Sequence, residues 1–277
     1  MNRLLSANFM RLRKSREFWM CVLATLLISM GMIYTGAKSA SALAQRGFIK
    51  YLDDYYFRFA PYAGAIMAIF ISLFLGTEYS DGTIRNKLVV GHTRTNIYIA
   101  NLLTCLTGSI LITVMWFIGG LPGLYLIGLF EMGLSQVIAY FFVAIGITAS
   151  FSALFVWIST LTRDRARTVV LSLVLWTAMA LAASGIYDRL HEVEFNGGMA
   201  MINGEFVKME DTPNPLYLTG AARMVFELLY RILSTGQAVA MLSTEITTPV
   251  LDIAVSVVVT AVITVIGILS FRRKDLQ

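Results

Sequence analysis

Long stretches without a charged side chain dominate this sequence. Six stretches of 19 to 36 residues lack Asp, Glu, Lys and Arg. A helix rises about 1.5 Å per residue, so about 20 residues cross the hydrocarbon core of a bilayer. The pattern predicts an all-α polytopic membrane protein with six transmembrane helices, because a charge at the bilayer centre is costly. The expected spans are 18–36, 59–77, 96–118, 132–159, 168–187 and 250–271.

The longest charge-free stretch, of 36 residues, approaches the length of two spans. A cluster of helix-breaking residues interrupts it at Gly119, Gly120, Pro122 and Gly123, and we expect the third span to end there. Residues 124–130 are too few to cross again. We therefore predict a short interfacial or re-entrant piece that leads into span four.

Two segments outside the spans have helical periodicity. Residues 1–17 carry Leu5, Phe9 and Leu12 at helical spacing beside several cations, which predicts an interfacial helix with its charges on lipid phosphates. The alternative is a basic flank that only fixes topology. In the outer segment 188–248 we predict an amphipathic helix over 216–233. Turns, or a hairpin, are expected at Asn196-Gly197-Gly198 and Asn203-Gly204.

The composition agrees with a membrane protein. The chain is 57% hydrophobic and 14% charged, whereas soluble domains carry about 25% charged residues. We expect one membrane domain over 1–277 with no soluble domain appended. The net charge of +5 is spread beside the apolar runs, which favours membrane lipids and not nucleic acid as the anionic partner.

Cations in the flanks predict the orientation. Arg3, Arg11, Arg13, Lys14 and Arg16 precede span one, and three cations each follow spans two, four and six. The other side holds fewer cations, mostly in longer loops. By the positive-inside rule, both termini are expected in the cytoplasm.

The most informative stretch is the loop between spans two and three, which reads GTEYSDGTIRNKLVVGHTRTNIYIAN over residues 76–101. Ser80 or Asp81 can begin a short helix and Gly91 can end it. We expect an amphipathic helix of about two turns, with Ile84, Leu88 and Val89 on its apolar side and Arg85 and Lys87 on its polar side. Such a helix suits a groove on a partner protein. An ordinary interfacial connector is the alternative.

The sequence offers no catalytic chemistry. It contains no arrangement of catalytic side chains or metal ligands that spacing alone supports, and Cys21 and Cys105 lie in apolar runs. We therefore expect no enzymatic activity, cofactor or metal in this chain. The spans also contain no obvious interior carboxylate, Lys, Arg or His, which disfavours proton-driven transport. Energy for any uphill transport would then enter through another polypeptide.

The loop resembles that of a known family. Gly76-Thr77-Glu78-Tyr79-Ser80-Asp81-Gly82-Thr83, the helix with Arg85 and Lys87, and Gly91 are similar to the permease subunit of type 2 ABC exporters. Asn214-Pro215, Gly220 and Leu233-Ser234-Thr235-Gly236-Gln237 resemble Firmicute members. The resemblance implies that the loop is a coupling helix docking on a separate ATPase subunit, and that short helices before span six dip into the outer leaflet. It assigns the junction with the ATPase to Glu78, Asp81, Gly82, Thr83, Arg85 and Lys87.

The resemblance also implies the assembly. Two permease chains, identical or related, would face an ABC ATP-binding subunit pair that holds the ATP and Mg²⁺. The expected location is a bacterial plasma membrane, and the expected cargo is hydrophobic, either lipid-like, peptide or drug-like. Two other functions stay open on the sequence: a stand-alone secondary transporter or channel that couples ions through hydroxyls and carbonyls, and a non-transporting scaffold or sensory subunit.

Overall fold

The computed structural model describes residues 1–162, 164–197, 199–202, 205–208 and 211–273. Gly198, Asn203 and Gly204 of the predicted turns lie outside these ranges, as do two of the flanking cations, Arg163 and Lys274. The helices are α1 (Asn2–Lys14), α2 (Arg16–Ala44), α3 (Asp53–Tyr56), α4 (Ala60–Ser80), α5 (Thr83–Val89), α6 (Arg94–Gly120), α7 (Gly123–Leu126), α8 (Leu134–Leu161), α9 (Arg165–Leu190), α10 (Gly220–Ile232), α11 (Ser234–Leu242) and α12 (Pro249–Arg273). A turn of 3-10 helix (Phe57–Phe59) joins α3 to α4.

Six of these helices are long and apolar enough to cross a membrane. They are α2, α4, α6, α8, α9 and α12, and each overlaps one of the six predicted spans. The all-α polytopic class is therefore confirmed. The short piece predicted after span three is present as α7, which follows the end of α6 at Gly120.

The core of the bundle is α8, whose apolar window is 72% buried, compared with 11% for α9 and for α12. Small residues bring α12 close to it: the Ser150 hydroxyl donates to the Ser256 carbonyl at 3.1 Å, and a Cβ on Gly146 would lie 3.0 Å from the side chain of Ser256. Thr148 and Thr113 share a 2.7 Å hydroxyl contact that joins α8 to α6. Close packing of this kind is how spans associate where lipid surrounds them.

The outer segment differs from the sequence prediction. The amphipathic helix predicted over 216–233 is shorter, since α10 begins at Gly220, and a second helix, α11, follows at a bend of 94°. α11 is buried: the Gln237 amide donates to the Arg231 carbonyl at 2.8 Å and accepts from the Ser256 hydroxyl at 2.8 Å. Because Gln237 fixes the start of α11 against α12, α11 is part of the packed bundle, whereas α10 has no buried residue.

Two pairs of short strands precede α10. β1 (Phe195–Asn196) pairs with β4 (Thr212–Pro213), and β2 (Met199–Ile202) pairs with β3 (Glu205–Lys208), both antiparallel. The antiparallel pairing expected of a hairpin is therefore present, while the turn residues Asn203 and Gly204 lie outside the described residues.

Two buried carboxylates lie near the ends of membrane-spanning helices. Asp252 in α12 is 7% exposed and pairs with Arg231 at 3.2 Å. Glu78 in α4 is 1% exposed. Both lie near helix ends, where neighbouring helices supply cations, so a search for charges at span centres does not find them.

Candidate functional site

The loop between α4 and α6 contains the predicted short helix as α5. Its start is not capped by Ser80 or Asp81, so that prediction is wrong: α4 continues through Ser80, and Gly82 precedes α5 with φ of +66° and without a side-chain cap. Gly91 ends α5 with φ of +94°, and its amide donates to the Leu88 carbonyl at 2.9 Å. The predicted end at Gly91 is confirmed.

Gly91→Ala is expected to reduce stability by about 1 kcal/mol, because an L side chain at positive φ is strained. The matched control is Gly31→Ala within α2, where an added Cβ meets nothing within 4 Å and helix propensity favours alanine by about 1 kcal/mol. In detergent, the unfolding temperature should therefore fall for Gly91→Ala and rise for Gly31→Ala. Shifts of the same sign would show that the φ of Gly91 does not limit stability.

The inner face of α5 belongs to a buried polar cluster, here called the Glu78 cluster, of Asn8, Arg11, Glu78, Lys87 and Asn101. One carboxylate oxygen of Glu78 pairs with both Arg11 and Lys87. Its other oxygen accepts from the Asn101 amide at 2.9 Å. The Asn8 side chain accepts from Lys87 at 3.1 Å and donates to Asn101 at 2.8 Å. The cluster therefore joins α1, α4, α5 and α6.

Electrostatics explain why this cluster stays together. Two cations surround one carboxylate, and the Arg11 guanidinium also lies 4.0 Å from the centre of the Phe74 ring. A buried ion is stable only with partners that replace water. Each member thus depends on the others, and α5 is held in one orientation relative to α4.

The cluster also changes the picture of α1. Leu4, Asn8 and Leu12 are buried against the bundle, and Arg11 contacts Glu78. The expectation that Arg11 faces lipid phosphates is therefore wrong. α1 is a packed element, since its polar residue Asn8 hydrogen-bonds inside the protein.

The structure divides the six predicted junction residues into two groups. Glu78 and Lys87 point into the Glu78 cluster, and the Thr83 hydroxyl donates to the Glu78 carbonyl at 3.0 Å. Asp81, Gly82 and Arg85 are exposed. Of the six, only the residues of the second group are exposed to solvent.

Sequence reasoning missed the apolar part of the outer surface. Val89 is 81% exposed and Val90 is 78% exposed, whereas Ile84 is 3% exposed. A helix turns about 100° per residue, so a side chain five positions after Ile84 lies on a different face. The exposure of Val89 could therefore have been predicted from its spacing to Ile84 in the sequence. We call Asp81, Gly82, Arg85, Val89 and Val90 the outer face of the α5 loop.

The loop is also tied to the end of α12. A terminal nitrogen of Arg94 donates to the Phe271 carbonyl at 3.2 Å and to the Arg272 carbonyl at 3.0 Å. Arg272 in turn donates to the Thr95 hydroxyl at 3.0 Å. Basic side chains that bind the last carbonyls of a helix are a favourable C-terminal arrangement. The end of α12 therefore lies on the same side of the bundle as α5.

Comparison with known proteins places these features in a family. A family model described as "ABC-2 family transporter protein" matches residues 4–179. The match includes α5 and all members of the Glu78 cluster. No curated protein matches the chain significantly. Since the family model covers more than half of the 277 residues, the chain belongs to the ABC-2 transporter family and is a multi-pass permease subunit of an ABC transporter.

Proposed function

We propose that the chain is the permease of an ATP-driven exporter and that the outer face of the α5 loop docks on a separate ATP-binding subunit. One observation carries the proposal. α5 has an inner face fixed by the Glu78 cluster and an outer face with Val89 and Val90 exposed beside Arg85. Exposed apolar side chains next to a charge are typical of a surface that a partner covers.

The proposed partner surface follows from this chemistry. Val89 and Val90 would enter an apolar groove, and Arg85 would meet a carboxylate at its rim. Glu78, Thr83 and Lys87 would position α5 and would not touch the partner. This assignment narrows the six junction residues of the sequence prediction to Asp81, Gly82 and Arg85 and adds the two valines.

The Glu78 cluster connects the proposed docking site to the helices α1, α4 and α6. ATP and Mg²⁺ would bind to the partner, and its movement would be transmitted through α5 to α1, α4 and α6. A partner shifts a conformational equilibrium only through contacts that differ between the two states. Because α5 is held to three other helices, contacts on its outer face can bias the whole bundle.

The remaining parts of the proposal are the assembly, the cargo and the location. The exposed apolar faces of α9 and α12, each 11% buried, would be covered by lipid and by a second permease chain, identical or related. The proposed cargo is hydrophobic, either lipid-like, peptide or drug-like. It would move outward across a bacterial plasma membrane in which both termini are cytoplasmic.

The docking proposal is tested by a double variant, Arg85→Glu with Val89→Asp. Reversing the charge and inserting a carboxylate into an apolar contact should reduce the recovered ATP-binding subunit more than about tenfold, since desolvated interface groups carry most binding energy. The measurement is the ratio of the two subunits after purification from the native membrane. The matched control is Lys14→Glu on α1, which reverses an exposed cation outside the α5 loop.

The thermal stability of the double variant should equal that of the parent, because both side chains are exposed. Undiminished recovery of the ATP-binding subunit, together with unchanged ATP hydrolysis by the complex, would refute docking through α5. It would instead favour the interfacial connector as the role of this loop.

A further inference from the structure

A cavity of about 370 Å³ lies at the end of the bundle opposite α5, between the ends of α9, α10, α11 and α12. α12 begins at this cavity with Asp252 in its first turn and finishes beside Arg94, which follows α5. The volume falls in the range of small-molecule sites, about 300–1,000 Å³. The cavity is thus separate from the proposed docking surface.

The lining of this cavity is unusually rich in charge. Five of its twelve lining residues are charged, namely Arg223, Glu227, Arg231, Glu245 and Asp252, and His191 also lines it, although only 14% of the chain is charged. A second cavity, of about 430 Å³, is lined largely by apolar side chains such as Met32, Pro61 and Val239. A lipid tail suits the second cavity. Charged side chains need water, an ion-pair partner or a polar ligand beside them, so the first cavity suits a polar ligand.

The charges of the first cavity are arranged as two ion pairs, beside one contact between a histidine and a carboxylate. Arg223 pairs with Glu227 at 3.0 Å, and Arg231 pairs with Asp252 at 3.2 Å. His191 lies 3.1 Å from Glu245. With His191 neutral, two arginines face three carboxylates, which leaves a net charge of −1. The cavity therefore offers both signs and disfavours a ligand that is only anionic.

Unused bonding groups point to where a ligand would bind. Arg223 bonds Glu227 through Nε, and its side chain lines the cavity and is 41% exposed, so its terminal nitrogens are accessible to a ligand. The buried Tyr230 hydroxyl lacks a hydrogen-bond partner among the residues that the structure describes. Burial raises the pKa of Tyr230, which keeps this hydroxyl protonated and able to donate. Glu245 accepts from the Tyr187 hydroxyl at 3.1 Å, and a carboxylate has further lone pairs to offer.

We propose that this cavity binds a small zwitterion that carries an ammonium group and an oxyanion. The terminal nitrogens of Arg223 would take the oxyanion, because a guanidinium binds such groups through two parallel hydrogen bonds. Glu245 would take the ammonium group, and Tyr230 would donate to the polar backbone of the ligand. A short peptide and the head group of a zwitterionic lipid share this chemistry.

The test uses the detergent-solubilised complex with its ATP-binding subunit and calorimetric titration of three probes: trialanine, N-acetyltrialanine and trialaninamide. Trialanine should bind saturably, and each blocked derivative should bind at least about tenfold more weakly, since hydrogen bonds to charged groups contribute that much. Glycerophosphoethanolamine is the probe that represents a lipid head group. If it binds more tightly than trialanine, the natural ligand is identified as a lipid head group, and if it binds more weakly, as a peptide.

Substitutions then assign each end of the ligand. Arg223→Gln should weaken the binding of trialanine about tenfold and leave the binding of trialaninamide unchanged. Glu245→Gln should weaken the binding of trialanine and leave the binding of N-acetyltrialanine unchanged. Arg189→Gln is the matched control, because Arg189 donates to the Leu216 carbonyl and does not line the cavity.

The inference fails if neither zwitterion binds saturably, or if Arg223→Gln weakens trialanine and trialaninamide equally. Because the titration measures binding of the probes and not recovery of the ATP-binding subunit, failure of this inference is distinguishable from failure of docking through α5.

Discussion

Glu78→Gln is expected to destabilise the folded chain by about 3 kcal/mol or more, because breaking a buried ion pair leaves its partners charged and unpaired. Here two cations, Arg11 and Lys87, depend on one carboxylate that is 1% exposed. The glutamine keeps the side-chain volume and one acceptor for Asn101. The loss of stability therefore measures the loss of the negative charge, since no cavity is created. Thermal or denaturant unfolding in detergent measures it.

The matched control is Asp81→Asn, the same chemical change at an exposed carboxylate three residues later; its effect should stay within about 0.5 kcal/mol. Lys87→Met should destabilise the Glu78→Gln variant far less than it destabilises the parent. In the parent the substitution removes a cation from the Glu78 carboxylate, whereas in the variant that carboxylate is already absent. Additive effects of the two substitutions would show that Glu78 and Lys87 are not coupled.

Gly236→Ala is expected to destabilise the outer segment by about 1–3 kcal/mol through overpacking. A Cβ at this position would lie 2.9 Å from the carbonyl carbon of Tyr230 and closer still to its oxygen. Since these are backbone atoms at the 94° bend between α10 and α11, no side-chain rotation relieves the clash. The bend must open, which strains the Gln237 bond to the Arg231 carbonyl.

The matched control is Gly185→Ala in α9, where an added Cβ meets nothing within 4 Å. That variant should be as stable as the parent or slightly more stable, because alanine favours helix. Unfolding temperature and the monodisperse yield in detergent compare the two. Equal stability of both variants would mean that the close approach of α10 and α11 does not constrain the fold.

The spans were predictable because a segment that crosses lipid must be almost free of charged residues. A run of about 20 uncharged residues has few alternatives to a transmembrane helix. The breaking residues Gly119, Gly120 and Pro122 likewise placed the end of α6 correctly. At the other end of α6, the Thr93 hydroxyl caps the helix by accepting from the Asn96 amide at 3.3 Å.

Features that depend on neighbouring helices were not predictable. Glu78 appears at the end of a charge-free run and reads as exposed, because nothing in the sequence shows that Arg11 and Lys87 come to it from α1 and α5. The resemblance implied short helices before span six, but helical periodicity did not locate α11 for a similar reason. Its buried polar residue Gln237 bonds Ser256, 19 residues away, and a helix buried by such a bond has no amphipathic pattern to reveal it.

The sixth span has a consequence for biogenesis. Ser150 in α8 bonds the carbonyl of Ser256, 106 residues later in the chain. During synthesis α8 enters the membrane long before α12 emerges from the ribosome, so Gly146 and Ser150 meet lipid or the insertion machinery first. Assembly of this bundle therefore concludes only when α12 displaces those temporary neighbours, and a nascent chain stalled before that step would present an unfilled groove to the quality-control proteases of the cell.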